Sequence, residues 1–284
     1  MESILELKHV NKTYSKSSFS LKNISFSIPY GSIVGFIGEN GAGKTTTMDT
    51  IIGTRNKDSG TIHLFGEKME YMKENIKEDI GVVFDSMNFS GNLNVIQISN
   101  VFRNIYRQWD NEKYVQYINK FKLPKKELIK NFSRGMSMKL SIAVALSHDA
   151  KLLILDEATA GLDPIAREEI LEILADFAKD KKRSILLSSH ITSDIEKIAN
   201  QLIFIKKGEI ILTVGKKELL TDYSITRFPT EELSQIKSQV IAYQRNEDYT
   251  DALIRRDNMF TKNYPQLDFS IDDITILLMK GVKR

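Results

Sequence analysis

Apolar and polar residues alternate along the first thirty residues of the chain, in stretches such as ILELKHV and FSLKNISFSI. This period of two predicts antiparallel strands with one buried face. Further on, SGTIHLFGEK predicts a hairpin pair of strands. Short continuous apolar runs also occur, and these are typical of strands buried on both faces of a parallel sheet. They lie at Ile33–Ile37, at 152–155 and within RSILLSSH (183–190), which ends in polar residues. QLIFIKKGEIILTVG predicts two more strands around a turn.

A helical period fills the segments between these strands. GKTTTMDTIIG predicts a helix that ends at Gly53, residues from about 88 to 150 are mainly helical, and AREEILEILADFAKDKK predicts an amphipathic helix. The alternation of strands and helices predicts an α/β fold with a mostly parallel sheet covered on both faces. We expect one large domain at 1–215, comprising an N-terminal antiparallel β subdomain, the parallel core and the helical subdomain. A small α+β extension is expected at 216–284, where the pattern weakens.

A glycine-rich segment, GENGAGKTT, follows the buried strand at Ile33–Ile37 and opens a predicted helix. This context is that of a phosphate-binding loop of the P-loop NTPase type. Glycines allow backbone N–H groups to turn inward around phosphates, a lysine reaches the β- and γ-phosphates, and a threonine hydroxyl binds Mg²⁺. The predicted loop residues are Gly38, Asn40, Gly41, Ala42, Gly43, Lys44, Thr45 and Thr46.

Two adjacent acids, Asp156 and Glu157, directly follow the apolar run of KLLIL. One interpretation is that they cap the next helix, since acids suit a helix N-terminus. The other is that they serve a metal and a water molecule, and the phosphate loop favours it. Asp156 is then expected to hold Mg²⁺ through water, and Glu157 to polarise the water that attacks the nucleotide.

Composition limits the classes of function. The chain has 284 residues, 42% hydrophobic and 27% charged, with a net charge of +3, so it lacks the basic excess of a nucleic-acid-binding domain. It has no cysteine, which excludes disulfides and thiolate metal sites and fits a cytoplasmic protein. No apolar run approaches the roughly 20 residues that cross a bilayer, and the first residues do not resemble a secretory signal.

Three further segments complete a resemblance to the ATP-binding cassette (ABC) ATPases over about residues 1–215. NFSRGMSMKLS resembles the family signature, ATAGLDP its D-loop and LLSSH its switch region, and an early tyrosine matches the aromatic residue that stacks on adenine. The matching residues are Tyr14, Ser133, Gly135, Asp163 and His190. The resemblance implies an ATP- and Mg²⁺-dependent ATPase in which Lys44, Glu157 and His190 act on the γ-phosphate. It also implies that a second cassette, either another copy of this chain or a sister cassette, completes each ATP site. A separate transmembrane permease subunit is expected to hold the protein at the inner face of the cell membrane.

Two residues depart from the family pattern. Asp85 stands where the family has a glutamine that contacts Mg²⁺ and links the ATP site to the transmembrane partner, and Arg134 replaces the first glycine of the signature. Asp85 is expected to approach the metal through water with a shorter reach. These departures favour one alternative, a nucleotide-gated regulatory cassette with weak hydrolysis. A soluble ABC ATPase that is not linked to transport is a second alternative, although the single cassette and the short interval before the signature argue against it.

The phosphate loop and the C-terminal tail are most similar to the cassettes of bacterial drug and peptide exporters, including the bacitracin-resistance type. This similarity implies export of a peptide, an antibiotic or another amphipathic compound. Because cargo choice lies mostly in the membrane chain of such transporters, this sequence does not identify the cargo.

Overall fold

The computed structural model describes residues 2–15, 17–71, 74–85, 89–258, 260 and 263–283. Its strands are β1 (Ser3–Thr13), β2 (Ser20–Pro29), β3 (Ile33–Ile37), β4 (Ser59–Leu64), β5 (Glu67–Lys68), β6 (Ile80–Val83), β7 (Leu152–Asp156), β8 (Ser184–Ser188), β9 (Gln201–Lys206), β10 (Glu209–Gly215), β11 (Tyr223–Pro229), β12 (Ala242–Arg245), β13 (Tyr249–Arg255), β14 (Gln266–Leu267) and β15 (Val282–Lys283). Its α-helices are α1 (Lys44–Ile52), α2 (Glu74–Lys77), α3 (Val95–Ile105), α4 (Asn111–Lys120), α5 (Arg134–Ala145), α6 (Pro164–Phe177), α7 (Thr192–Ile198), α8 (Lys216–Asp222), α9 (Leu233–Ile236) and α10 (Ile271–Lys280). Short 3₁₀ helices lie at Met69–Tyr71, Ile129–Asn131, Thr230–Glu232 and Lys237–Gln239.

The central sheet has the strand order β10-β9-β3-β8-β7-β6. Its strand pairs are parallel except for β9 with β10. Every residue of β3, β7 and β8 is buried, as expected for strands covered on both faces. Because these strands run in the same direction, their carboxyl ends meet at one edge, which carries the phosphate loop and the acidic pair. The predicted α/β fold is confirmed.

The two faces of this sheet carry different layers. An antiparallel sheet, β2-β1-β4-β5, packs on one face, where its residues Leu5 and Ile24 share a buried apolar cluster with Phe36 of β3. The helices α3 to α7 supply the apolar cluster on the other face, with Ile98, Leu140 and Leu174 among its buried members. The apolar periodicity did not predict the edge strand β6 or the helix α7. The predicted start of the helical subdomain, at about residue 88, lies outside the described residues.

The C-terminal residues form a third sheet, β14-β11-β13-β12-β15, which is antiparallel. Helix α10 connects it to the nucleotide-binding part, because residues of α10 and of the central strand β9 belong to one buried cluster. Lys206 on β9 donates to the backbone carbonyls of Leu278 (3.2 Å) and Gly281 (2.7 Å) at the end of α10. The division at residue 215 therefore stays a prediction, since the hydrophobic core continues across it. In the described part of the chain, no helix has both the length and the apolar content needed to cross a bilayer.

Candidate active site

The phosphate loop lies between β3 and α1, at the carboxyl edge of the central sheet. Gly41 and Gly43 adopt positive φ angles of 79° and 115°, which suit residues without a Cβ atom. Gly43 is the N-cap of α1 and offers no side chain to its first amides. These N–H groups and the positive end of the helix are therefore available to an anion such as a phosphate.

Lys44 is the cation of this loop, and only 6% of it is exposed. Its Nζ donates to the backbone oxygens of Gly38 (2.7 Å) and Glu39 (3.3 Å) and lies 3.9 Å from Glu157 Oε1. Burial lowers the pKa of the Lys44 ammonium, while the carboxylates of Glu157 and Asp156 act in the opposite direction. The ammonium is thus bonded to the loop itself, in a place where phosphate oxygens would improve its charge balance.

Thr45 and Asp156 form the part of the site that is suited to Mg²⁺. The Thr45 hydroxyl donates to Asp156 Oδ2 at 2.6 Å, and Asp156 is 5% exposed. Hydroxyl and carboxylate oxygens are ligands that this hard cation prefers, and it commonly keeps several waters and phosphate oxygens as its other ligands. Among the described residues, no group of three or more His, Asp or Glu side chains is placed to hold a metal.

Ser188, which the sequence did not indicate, fixes both acids. It lies opposite Asp156 in the pairing of β7 with β8, and its hydroxyl donates to Asp156 Oδ1 at 2.5 Å. The N–H of Glu157 donates to the backbone oxygen (3.2 Å) and the hydroxyl oxygen (3.1 Å) of the same serine. The only signal for Ser188 in the sequence was its position at the end of a predicted strand, the same position that the acidic pair has on its own strand.

Glu157 and His190 form a contact pair beside Lys44. The His190 N–H donates to Glu157 Oε2 at 3.2 Å, and His190 Nδ1 lies 2.6 Å from the same oxygen. Glu157 has a φ of 53°, in the left-handed region that non-glycine residues rarely adopt. Such a conformation costs on the order of 1–3 kcal/mol and persists where the surroundings hold it, which is common at functional sites. The structure therefore presents a fixed carboxylate within reach of a molecule on the phosphate loop.

Tyr14 lies beside two cations. Lys12 Nζ and the Arg55 guanidinium are 5.7 and 5.9 Å from the centre of its ring. Asp58, another residue that the sequence did not indicate, fixes the strand before Tyr14 by accepting from the Thr13 N–H (2.6 Å) and hydroxyl (2.7 Å). These bonds, together with one from Lys12, lower the pKa of Asp58 from 3.8 to about 2.

Ser133, Gly135 and Asp163 lie at the starts of two helices. Ser133 caps α5 by accepting from the Met136 N–H (3.2 Å), and Asp163 caps α6 by accepting from two backbone N–H groups (3.0 and 3.1 Å). Within the described residues, no hydrogen bond or ion pair joins these three to the phosphate loop. Direct contacts thus join Lys44, Thr45, Asp156, Glu157 and His190, whereas none of the described hydrogen bonds or ion pairs connects the signature and D-loop residues to this group.

Asp85 forms a salt bridge with Arg134. These are the two residues that depart from the family pattern. The Asp85 carboxylate thus faces the signature helix in this structure, and its role as a metal ligand stays a prediction. Both side chains are more than half exposed.

Comparison with known proteins was consistent with these features. The family described as "ABC transporter" matches residues 21–160. The chain is 31% identical to the bacitracin transport ATP-binding protein BcrA of Bacillus licheniformis over 265 residues, 91% of this chain and 84% of that protein. It is 36% identical to the lantibiotic transport ATP-binding protein SrtF of Streptococcus pyogenes over 211 residues, 74% of this chain and 90% of that protein.

Solved structures resemble the fold. A structure described as the ATP-binding subunit of an ABC transporter has a TM-score of 0.69 and 26% identity, and the match covers 76% of this chain and 92% of that one. A dimeric cassette in a post-hydrolysis state, bound to ADP and Pi, has a TM-score of 0.67 and 21% identity over 74% of this chain and 98% of that one. Because the identity to this second structure is only 21%, the similarity supports the fold alone.

Proposed function

This chain belongs to the ABC transporter family as an ATP-binding subunit, and on that premise we propose that two copies of it bind and hydrolyse ATP between them to drive a separate membrane permease. The observation that carries the proposal is the group of contacts around the phosphate loop. Lys44 lies 3.9 Å from Glu157, Glu157 contacts His190, and Thr45 donates to Asp156. A buried cation, a fixed carboxylate and a hydroxyl–carboxylate pair are the groups that phosphoryl transfer to water requires.

Each residue has a defined role in this proposal. Lys44 exchanges the loop carbonyls for phosphate oxygens of ATP, and its charge offsets the charge that develops during transfer. Thr45 and Asp156 would hold Mg²⁺, which when bound would neutralise part of the phosphate charge. Glu157 accepts a proton from the attacking water, whose oxygen bonds to the γ-phosphorus as the bond to ADP breaks. His190 orients the Glu157 carboxylate.

A second copy supplies the signature in this proposal, since none of the described hydrogen bonds or ion pairs joins Ser133 or Gly135 to the phosphate loop of its own chain. Ser133 and Gly135 stand at the N-terminus of α5, a twelve-residue helix whose first amides are able to receive an anion. Ile165, two residues after Asp163, is 83% exposed, an unusual position for a large apolar side chain unless another surface covers it. One chain carries both halves of a site, so two copies form two equivalent sites.

We place the permease contact on an apolar groove of about 390 Å³, whose lining includes the residue before Asp85. Phe84, Phe89, Phe102 and Tyr106 are among its lining residues. His148, which stacks on Tyr106 at a ring distance of 3.9 Å, also lines it. Its buried Nε2 has no hydrogen-bond partner among the described residues. The permease contact would hold the cassette at the inner face of the cell membrane.

The cargo we propose is a peptide antibiotic or another amphipathic compound, moved outward. Support comes from the relatives that are named as bacitracin and lantibiotic transport proteins. A second candidate is a regulatory cassette that dimerises on ATP but hydrolyses it slowly. The salt bridge between Asp85 and Arg134 favours this candidate, because each of these residues replaces a residue of a family motif that serves ATP.

Turnover per subunit, measured as phosphate release over a series of protein concentrations, tests the shared site. We expect the rate to rise with concentration and then to reach a plateau, with Lys44→Ala staying at background because it removes the cation of the loop. A wild-type rate that is independent of concentration, in a chain that light scattering shows to be monomeric, would contradict the two-copy site. Dimerisation on ATP with turnover no higher than that of Lys44→Ala would support the regulatory cassette.

A further inference from the structure

The two residues that depart from the family pattern contact each other. Asp85 and Arg134 are 49 residues apart in sequence, yet the Arg134 guanidinium donates to the Asp85 carboxylate. Asp85 follows β6, the edge strand of the central sheet, whereas Arg134 is the first residue of α5 in the helical part. The bridge therefore joins the sheet to the signature helix within one chain.

The surroundings of this bridge allow it to open. It lies at a cavity of about 260 Å³ between the end of β6 and α5, which Phe84, Phe132 and Met138 also line. Arg134 is 57% and Asp85 54% exposed, and exposed ion pairs are typically worth at most about 1 kcal/mol. The bridge is thus a weak contact in a poorly filled region.

Arg134 also lies on the surface that we assign to the second copy. Its aliphatic part covers the D-loop turn, since a Cβ atom on Gly161 would lie 3.1 Å from Arg134 Cδ. Arg134 itself lies between Ser133, the N-cap of α5, and Gly135 in the first turn of that helix. A guanidinium binds phosphate through two parallel hydrogen bonds, and ATP carries more negative charge than one carboxylate.

We propose that Arg134 contacts the phosphates of the ATP bound to the other copy, and that Asp85 holds Arg134 until that copy arrives. This inference rests on the proposed two-copy site. Dimerisation exchanges the Asp85–Arg134 bridge for an Arg134–phosphate contact across the interface. Arg134 is then a substrate-binding residue, and Asp85 is a competitor that sets how readily the dimer forms.

A double-mutant cycle of Asp85→Asn and Arg134→Ala tests this exchange, with the protein concentration at half-maximal turnover as the readout. Asp85→Asn removes the competitor, so we expect this concentration to fall about two- to fivefold, the range of an exposed ion pair. Arg134→Ala removes the phosphate contact, so we expect the protein concentration at half-maximal turnover to rise about tenfold or more. In the Arg134→Ala background, Asp85→Asn should have no further effect, because no arginine remains to be released.

Other outcomes overturn the proposal in recognisable ways. If the bridge only fastens α5 to the sheet, both single variants shift the concentration in the same direction. If Asp85 acts only by repelling phosphate, its substitution helps equally with and without Arg134. Where wild type shows no concentration dependence and no dimer, it is the proposed two-copy function that fails.

Two controls keep the cycle interpretable. Arg134→Lys keeps the charge but loses the forked geometry, so we expect an intermediate shift, whereas a wild-type value contradicts phosphate binding by the guanidinium. Asp176→Asn removes an exposed ion pair with Lys179 near the far end of α6 and should leave the half-maximal concentration unchanged. Binding of Mg-ATP to each variant at concentrations below dimerisation, measured with a fluorescent ATP analogue, verifies that its own phosphate loop is intact.

Discussion

Replacement of Glu157 by glutamine should stop hydrolysis while ATP binding continues. The structure explains both parts of this expectation. Glutamine keeps the shape of the side chain and an oxygen that accepts from the His190 N–H, which now donates to Glu157 Oε2 at 3.2 Å. It does not accept a proton from water at neutral pH. Lys44, Thr45 and Asp156 stay in place, so the phosphates and the metal keep their ligands.

The magnitude follows from the role of a general base, which typically contributes about 10²–10⁴-fold to the rate. This range corresponds to roughly 3–5 kcal/mol in the activation barrier. Since nothing then removes the γ-phosphate, the bound ATP should keep two copies together, and the dimer should accumulate.

The assay pairs phosphate release with light scattering, each with and without Mg-ATP. The matched control is Glu168→Gln, the same chemical change in an exposed residue whose partner is Lys197, outside the site. It should behave as wild type. Wild-type turnover in Glu157→Gln would remove Glu157 from the mechanism, and a variant that binds ATP but stays monomeric at saturation would argue against the shared site.

Three other perturbations test separate parts of the site. Asp85→Gln, which restores the family residue, should keep or raise ATPase activity with the permease present, and a severe loss of turnover would mean that Asp85 has an essential role of its own. Ser188→Ala leaves Asp156 Oδ1 without its 2.5 Å donor, so we expect the free energy of unfolding in urea to fall by about 1–3 kcal/mol, and an unchanged value would contradict the role of this bond. Asp58 should titrate near pH 2 in an NMR experiment, so the stabilisation from its bonds to Thr13 is fully present above about pH 4 and lost as the pH falls through about 2; titration near 3.8 would refute it.

Local and periodic features were predictable from the sequence. The strand β3, the loop at 38–46 and the start of α1 are consecutive in the chain, and their pattern specifies buried strand, turn and helix in that order. The acids after β7 were also predictable, because parallel strands present their carboxyl ends at one edge.

Features that depend on the pairing of distant segments were not predictable. Ser188 meets Asp156 only because β7 and β8 pair in one particular register. The Asp85–Arg134 bridge joins residues that are 49 positions apart, and no local pattern reports such a contact. The positive φ of Glu157 is likewise imposed by its surroundings, since glutamate has no intrinsic preference for it.

The central claim is that the phosphate loop of one copy faces the signature of another, and cysteine cross-linking tests it directly. The natural chain contains no cysteine, so introduced thiols are the only reactive ones. In the Glu157→Gln background, one copy carries Asn40→Cys in the phosphate loop and the other carries Met136→Cys in the signature. With a thiol oxidant such as copper–phenanthroline in every sample, we predict a disulfide-linked dimer that forms from the mixture with Mg-ATP, and not without nucleotide or from either variant alone. If Mg-ATP produces no link in the mixture, or if each variant links to itself equally well, the two-copy site is wrong.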